Sequence, residues 1–267
     1  MNQDRGNLLV RIGRPALGGL AYFGGLGWLA ADAFAGLARQ AFRRKTWAAT
    51  AAQMVRVGVR SLGIIIIVQT FIGVILTLQM APTLRNYGQV ERVADIVGVA
   101  LLRELGPLIT AIVLSGFAGA SIAAELGTMV EAEEIEAMRA IALDPVRYLV
   151  GPRVLATTVM TVCLTVIADV VGVLGGLVTS WRALGMAPAV YFNRTIDAVT
   201  VLAFQTGLIK AAIFGLLISL IACFEGLHVA GGTEGVGRAT TRTVVFSIVS
   251  LIGADCLFTA IFYAAGW

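Results

Sequence analysis

Three charged side chains lie well inside long apolar stretches of this 267-residue chain: Asp169, Lys210 and Asp255. A charge at the centre of a bilayer costs about 2.5–3.5 kcal/mol on insertion scales, so such residues are functional candidates. Buried charges are normally paired, which predicts that Lys210 pairs with Asp255 or Asp169. The same side chains can also line the polar part of a cavity, and the two interpretations are compatible. Glu104 and Glu125 lie nearer the ends of apolar stretches, where a charge is less costly.

A second group of charges forms the acidic stretch EAEEIEAMRAIALDP, residues 131–145, between two apolar runs. Its glutamates crowd the first half and Arg139 falls late, an order that the helix macrodipole favours. The Asp144-Pro145 pair disfavours further helix. We predict a short helix over 129–143 with an apolar face at Ile135, Met138 and Ala142. It is either a solvated loop helix or a docking helix for a cytoplasmic partner.

The composition around these charges is that of a membrane protein. Hydrophobic residues make up 58% of the chain, charged residues 13%, and the mean hydropathy is +0.88. Soluble domains are about 45–50% apolar and about 25% charged. The cysteines lie inside apolar runs and His228 is the only histidine, so no metal site or catalytic residue is predicted. Basic residues cluster beside the first apolar run rather than on a soluble face, which argues against nucleic-acid binding.

Five stretches are long and apolar enough to cross a bilayer. These predict an all-α polytopic membrane protein with an N-terminal cytoplasmic and interfacial region over 1–60 and a five-span membrane domain over 61–267. The predicted spans are 61–84, 97–124, 148–181, 198–224 and 243–266. The glycine-rich segment 15–38 is shorter; we predict a helix lying in the membrane interface, with a sixth span as the alternative.

The distribution of basic residues predicts the orientation. With the N-terminus inside, 14 Lys and Arg residues fall on the inner side and four on the outer side, with two in or near spans. The positive-inside rule then places the N-terminus in the cytoplasm and the C-terminus outside. The acidic helix over 129–143 falls on the cytoplasmic side, between spans two and three.

Two stretches carry a family resemblance. LLRELGPLITAIVLSGFAGASIAAELGTMVEAEEIEAMRAIALDPVRYLVGPRVLA, residues 101–156, and EGVGRATTRTVV, residues 234–245, resemble the two signatures of the MlaE (YrbE) family. The resemblance implies a permease subunit of an ABC transporter that moves phospholipid or a related lipid between the inner and outer membranes. It also implies a homodimer in the bacterial inner membrane, a separate cytoplasmic ATPase that uses ATP and Mg, a periplasmic ring of MCE proteins and, in many members, a STAS-domain subunit. This chain itself is expected to bind no cofactor.

The resemblance also assigns candidate residues. The segment 129–143 resembles the coupling helix that docks on the ATPase, with Glu131, Glu133, Glu134, Glu136, Met138 and Arg139 as contacts. The charged candidates for the lipid pocket are Glu104, Lys210 and Asp255. We place its apolar residues near the outer mouth, at Leu76, Leu78, Met80 and Tyr87. Phe117 departs from the family pattern, since many members carry Arg there, which implies a changed headgroup contact.

The alternative function is an ion-coupled secondary transporter that uses Asp169, Lys210 and Asp255. Such transporters carry inverted repeats and broken helices at the membrane centre. No clear internal repeat is visible in this sequence. A membrane hydrolase would need a nucleophile and a base, for which one loop histidine is a poor basis.

Overall fold

The computed structural model describes residues 19, 21–22, 24–36 and 44–266. The described residues form helices and connecting turns, without a strand. Five helices have the length and hydropathy to cross a membrane, which confirms the all-α polytopic fold with five spans. Spans one to five are Trp47–Asn86, Arg92–Glu131, Val146–Leu184, Val201–Leu227 and Gly232–Ala264.

Four of the five spans are longer than predicted, most clearly at the start of span one, whereas span four has the predicted 27 residues and begins three residues later. The helix of span one begins at Arg44 and continues through a wide π-type turn, Val55–Val59, into Leu62–Asn86. At 1.5 Å per residue the 40 residues of span one extend roughly 60 Å, about twice the hydrocarbon thickness. The first turns, which lie in the predicted N-terminal region 1–60, therefore extend beyond the apolar layer.

Small residues allow the spans to pack backbone against backbone. A Cβ atom at Gly175 of span three would lie 2.7 Å from the carbonyl oxygen of Thr70 in span one. A Cβ atom at Gly215 of span four would lie 2.9 Å from Cα of Thr158 in span three. Since real Cβ atoms do not approach so closely, these glycines are required for the observed helix separations. Span three therefore contacts spans one and four at close range.

The N-terminal helical residues 24–36 lie against one end of this bundle. Gly25 contacts the ring of Phe224 near the end of span four, and Asp32 forms a 3.5 Å ion pair with Arg147 near the start of span three. Leu29 and Ala33 are buried in the main hydrophobic core. Both ends of this described segment therefore meet the same end of the bundle, and the interfacial helix over 15–38 stays a prediction. Much of the remaining predicted segment 15–38 lies outside the described residues.

Two short helices connect the spans. The acidic helix, Glu134–Ala140, follows span two, and the loop helix, Pro188–Ala198, follows span three at the opposite end. Tyr191 of the loop helix is fully buried, and Thr195 is 7% exposed. A Cβ atom at Gly98 of span two would lie 2.8 Å from the methyl group of Thr195, so the loop helix packs tightly on span two.

Candidate functional site

Lys210 lies at the centre of a buried ionic cluster. Its side chain is 1% exposed, and Nζ donates hydrogen bonds to Oδ1 of Asp255 and Oγ1 of Thr259, both at 2.9 Å, and to the carboxylate of Glu104. Thr259 Oγ1 in turn donates to Oε1 of Glu104 at 2.6 Å. We call these four residues the Lys210 cluster. The predicted pairing of Lys210 with Asp255 is confirmed, whereas Thr259 was missed by the sequence reasoning.

Three spans supply the Lys210 cluster. Glu104 lies in a wide turn of span two, Leu101–Leu105, just before a Gly-Pro pair. Lys210 lies well inside span four, and Asp255 and Thr259 lie four residues apart on one face of span five. The cluster therefore joins spans two, four and five through polar contacts inside an apolar bundle. The i, i+4 spacing from Asp255 was the signal that could have identified Thr259.

The Lys210 cluster is open on one side. The side chain of Glu104 is 32% exposed and that of Asp255 is 12% exposed, whereas Lys210 is covered. With all three groups charged, two carboxylates face one ammonium and the cluster carries a net charge of −1. A molecule approaching from the open side meets carboxylate oxygens first, which accept hydrogen bonds from hydroxyl or ammonium groups.

Asp169 does not belong to this cluster, so the alternative prediction that it pairs with Lys210 is wrong. Its Oδ1 atom lies against Gly106 of span two, at the place that a Cβ atom there would occupy. The residue is 3% exposed, and neither carboxylate oxygen has a hydrogen-bond partner within the described residues. Span three thus turns Asp169 toward span two, and the three charges of the ion-coupled alternative do not form one site.

The four apolar residues predicted near the outer mouth do not share a surface. Leu76 and Met80 are partly buried and pack against a small core under the start of span two. Leu78 is 48% exposed and lies about 200° around the helix axis from Leu76. Tyr87 is 75% exposed and caps the end of the same helix. Leu78 therefore faces away from Leu76 and Met80 within a single chain, and the lining of a lipid cavity by these four residues stays a prediction.

The acidic helix is shorter than the predicted range 129–143. Span two continues to Glu131, and Glu133 adopts a left-handed conformation, φ 58°, that separates it from the helix Glu134–Ala140. Oε1 of Glu131 accepts a hydrogen bond of 3.0 Å from the backbone nitrogen of Gly232, at the start of span five. Glu131 therefore ends span two and contacts span five, whereas Glu133 belongs to the turn before the acidic helix.

The acidic helix presents charges on its outer side. Glu134, Glu136 and Arg139 are exposed, while Ile135 is 5% exposed and Met138 packs against the main core. The apolar face predicted at Ile135 and Met138 is therefore confirmed, but Met138 points into the protein rather than toward a partner.

Two exposed apolar residues follow the acidic helix and were missed by the sequence reasoning. Ile141 and Leu143 are 75% and 37% exposed. Ala142, the third predicted member of the apolar face, lies between them in a left-handed conformation, φ 58°, outside the helix. The position of Ile141 and Leu143 directly before the Asp-Pro pair, which ends the helix, was the signal in the sequence that could have identified them as exposed. Together, the outward residues Glu134, Glu136 and Arg139 with Ile141 and Leu143 form what we call the acidic-helix surface.

Asp144 holds the next element in place. Its Oδ1 accepts hydrogen bonds from the backbone nitrogens of Val146, at 3.0 Å, and Arg147, at 3.4 Å. Its Oδ2 lies 2.8 Å from Nε of Arg147, which also pairs with Asp32. The Asp-Pro pair therefore starts span three and links it to the N-terminal helical residues.

Another ionic group lies at the same end of the bundle as the acidic helix. Glu125 of span two pairs with Arg56 of span one at 2.7 Å and with Arg153 of span three at 3.1 Å. Arg153 is almost fully buried and also donates a 2.8 Å hydrogen bond to the carbonyl oxygen of Leu149. We call Glu125, Arg56 and Arg153 the Glu125 group. It ties spans one, two and three together.

Comparisons with known proteins agree with this architecture. Residues 50–261 match the family described as Permease MlaE. A probable ABC transporter permease protein of Rickettsia prowazekii is 36% identical over 211 residues, which cover 79% of this chain and 82% of that protein. The intermembrane phospholipid transport system permease protein MlaE of Haemophilus influenzae is 31% identical over 264 residues, 97% of this chain and 99% of that protein. The chloroplastic protein TRIGALACTOSYLDIACYLGLYCEROL 1 of Arabidopsis thaliana is 33% identical over 217 residues, 81% of this chain and 62% of that protein. The chain belongs to the MlaE permease family.

Proposed function

We propose that this chain is the membrane-spanning subunit of an ABC-type transporter that moves phospholipid or a related lipid between the inner and outer membranes. Membership of the MlaE permease family carries the proposal. The Haemophilus relative is named for intermembrane phospholipid transport, and it aligns with nearly the whole of this chain. The chain acts as a permease without catalysis of its own, and ATP and Mg are used by a separate ATPase subunit.

The Lys210 cluster supplies the polar part of the lipid site in this proposal. Its open side offers carboxylate oxygens within an otherwise apolar bundle, which suits the hydroxyl or ammonium groups of a lipid headgroup. Large apolar side chains remain exposed on the neighbouring span five, among them Ile252, Leu257 and Ile261. In a homodimer these faces of the two copies enclose an apolar path for the lipid tails.

The acidic-helix surface is the docking surface for the ATPase in this proposal. Its charges point outward, and Ile141 and Leu143 add apolar area that a partner would cover. The N-terminus and the acidic helix then lie in the cytoplasm, and the C-terminus faces the periplasm. An MCE ring contacts the periplasmic end, and a STAS-domain subunit accompanies the ATPase.

Purification of the tagged chain from its native membrane tests this function. We expect a nucleotide-binding subunit to accompany it, and Glu134→Arg with Glu136→Arg to reduce the recovered ATPase severalfold. Asp197→Arg is the matched control, because Asp197 is an exposed acid on the loop helix at the opposite end. The control is expected to recover the ATPase normally. Absence of any nucleotide-binding subunit from the wild-type preparation would refute the proposed function.

A further inference from the structure

A cavity separate from the Lys210 cluster lies between spans one and two. Its volume is about 70 Å³, and its lining includes Gln53, Arg56, Arg60, Phe117, Ile122 and Glu125. We call it the Arg60 cavity. On span two, Phe117 lies 13 residues beyond Glu104, which is roughly 20 Å along a helix. The Arg60 cavity and the Lys210 cluster are therefore at different depths of the bundle.

The Arg60 cavity has an excess of positive charge. Among the described residues Glu125 is the one carboxylate in its lining, and it is shared between Arg56, at 2.7 Å, and Arg153, at 3.1 Å. Arg60 forms no ion pair within residues 44–266. Two guanidinium groups, those of Arg56 and Arg60, therefore line the cavity with one carboxylate, and Arg153, outside the lining, shares that carboxylate. An anionic group is the complement that this arrangement favours.

The walls of the Arg60 cavity differ in polarity. Gln53, Arg56 and Arg60 lie on the same side of span one, at successive i+3 and i+4 positions. Val57, Phe117 and Ile122 provide apolar surface beside them. The side-chain oxygen of Gln53 is buried and has no hydrogen-bond partner within the described residues. The side-chain amide of Gln53 can rotate to present its NH₂ group, so three donors can converge on one acceptor.

We propose that the Arg60 cavity binds the phosphate group of an anionic phospholipid. A guanidinium group can donate two parallel hydrogen bonds to the oxygens of one phosphate, and Arg60 and Arg56 provide two such groups within one cavity. The acyl chains continue along the exposed apolar residues of the first span, such as Val59 and Ile67. A free phosphate ion would satisfy the arginines but would leave the apolar wall unused. The lipid comes from the leaflet at the Arg56 end of span one.

Binding to this cavity is independent of transport, so it can be measured on the purified full-length chain without an ATPase. Native mass spectrometry in detergent counts the bound molecules while short-chain phosphatidylglycerol is added. We expect Arg60→Gln to weaken this binding about tenfold, the loss typical of one hydrogen-bonded charge. Arg85→Gln is the matched control, since Arg85 is an exposed arginine at the opposite end of span one. The control is expected to bind phosphatidylglycerol as the wild type does.

A variant that is expected to bind phosphatidylglycerol more tightly tests the same cavity if Arg60→Gln folds poorly. Phe117 is 40% exposed and lines the same cavity, so Phe117→Arg adds a third lining cation and is expected to tighten binding severalfold. Inorganic phosphate at equal concentration is expected to displace little of the bound phosphatidylglycerol. Equal affinities of the wild type and both cavity variants would overturn the proposal. Full displacement by inorganic phosphate would overturn it too, because the site would then be one for free phosphate. Neither result would bear on co-purification of the ATPase.

Discussion

Replacement of Lys210 by methionine is expected to destabilise the protein strongly. The change removes the ammonium that holds Asp255, at 2.9 Å, and Glu104, and it leaves two carboxylates side by side in an apolar bundle. Breaking a buried ion pair from one side costs about 3–5 kcal/mol. Since Glu104 is 32% exposed and can recover some hydration, we take the lower end, about 3 kcal/mol.

Thermal unfolding in detergent, followed by tryptophan fluorescence, measures this effect. In a chain of this size 1 kcal/mol shifts Tm by about 2–4 °C, so Lys210→Met is expected to lower Tm by roughly 6–12 °C. The triple variant with Glu104→Gln and Asp255→Asn removes the uncompensated charges. It should recover most of the loss, because well-packed neutral replacements of buried ion pairs are often close to neutral. A Tm of the single variant within about 2 °C of the wild type would refute the assigned energetic role of Lys210. So would a triple variant no more stable than Lys210→Met.

Three further changes test the packing and capping contacts by the same thermal assay. Gly175→Ala places a methyl group against a backbone oxygen of span one and should lower the free energy of unfolding by about 1–3 kcal/mol. Gly63→Ala is the control, because its methyl group meets open space, and it should leave Tm unchanged. Equal effects would contradict the close packing of spans one and three. Asp144→Ala removes the acceptor for two backbone nitrogens at the start of span three and should lower the free energy of unfolding by about 1 kcal/mol. An unchanged Tm would show that this helix cap does not stabilise the protein. Thr259→Val removes one hydrogen-bond donor and one acceptor from the Lys210 cluster and should lower the free energy of unfolding by about 1 kcal/mol. A variant as stable as the wild type would show that Thr259 is not part of the cluster.

The spans could be predicted because a bilayer imposes a simple requirement. A helix that crosses it needs about 20 apolar residues, and this chain carries five such stretches. The predicted limits were too short where helices continue beyond the apolar layer. The first turns of span one contain Arg56 and Arg60, so hydropathy alone gave no reason to extend the helix back to Arg44.

The charged site was only partly predictable. A lysine inside an apolar run requires an acidic partner, which left Asp255 and Asp169 as candidates, and Lys210 pairs with Asp255. The choice between these two aspartates depends on which helices are neighbours and how each is rotated, and a single sequence does not encode this locally. Asp169 is turned toward Gly106 on span two, and Glu104 reaches Lys210 from a wide turn.

The apolar candidates for the lipid pocket stay a prediction, and their choice from the sequence met a related difficulty. Span one is apolar on all sides, so its sequence gives no periodic signal that separates an inward face from an outward one. Leu76 and Met80 therefore could not be distinguished from Leu78 before the packing was known. The start of the acidic helix was misplaced because the left-handed break falls on Glu133, where no glycine marks it.

We propose that this chain moves lipid with energy from a separate ATPase. The most direct measurement is the transfer of labelled phospholipid by proteoliposomes that contain the chain and its co-purified subunits, with and without ATP. We predict transfer that requires ATP hydrolysis, stops when the ATPase subunit is omitted, and is unaffected by a proton ionophore. Transfer that persists without ATP and collapses with the ionophore would contradict the account and would favour ion coupling.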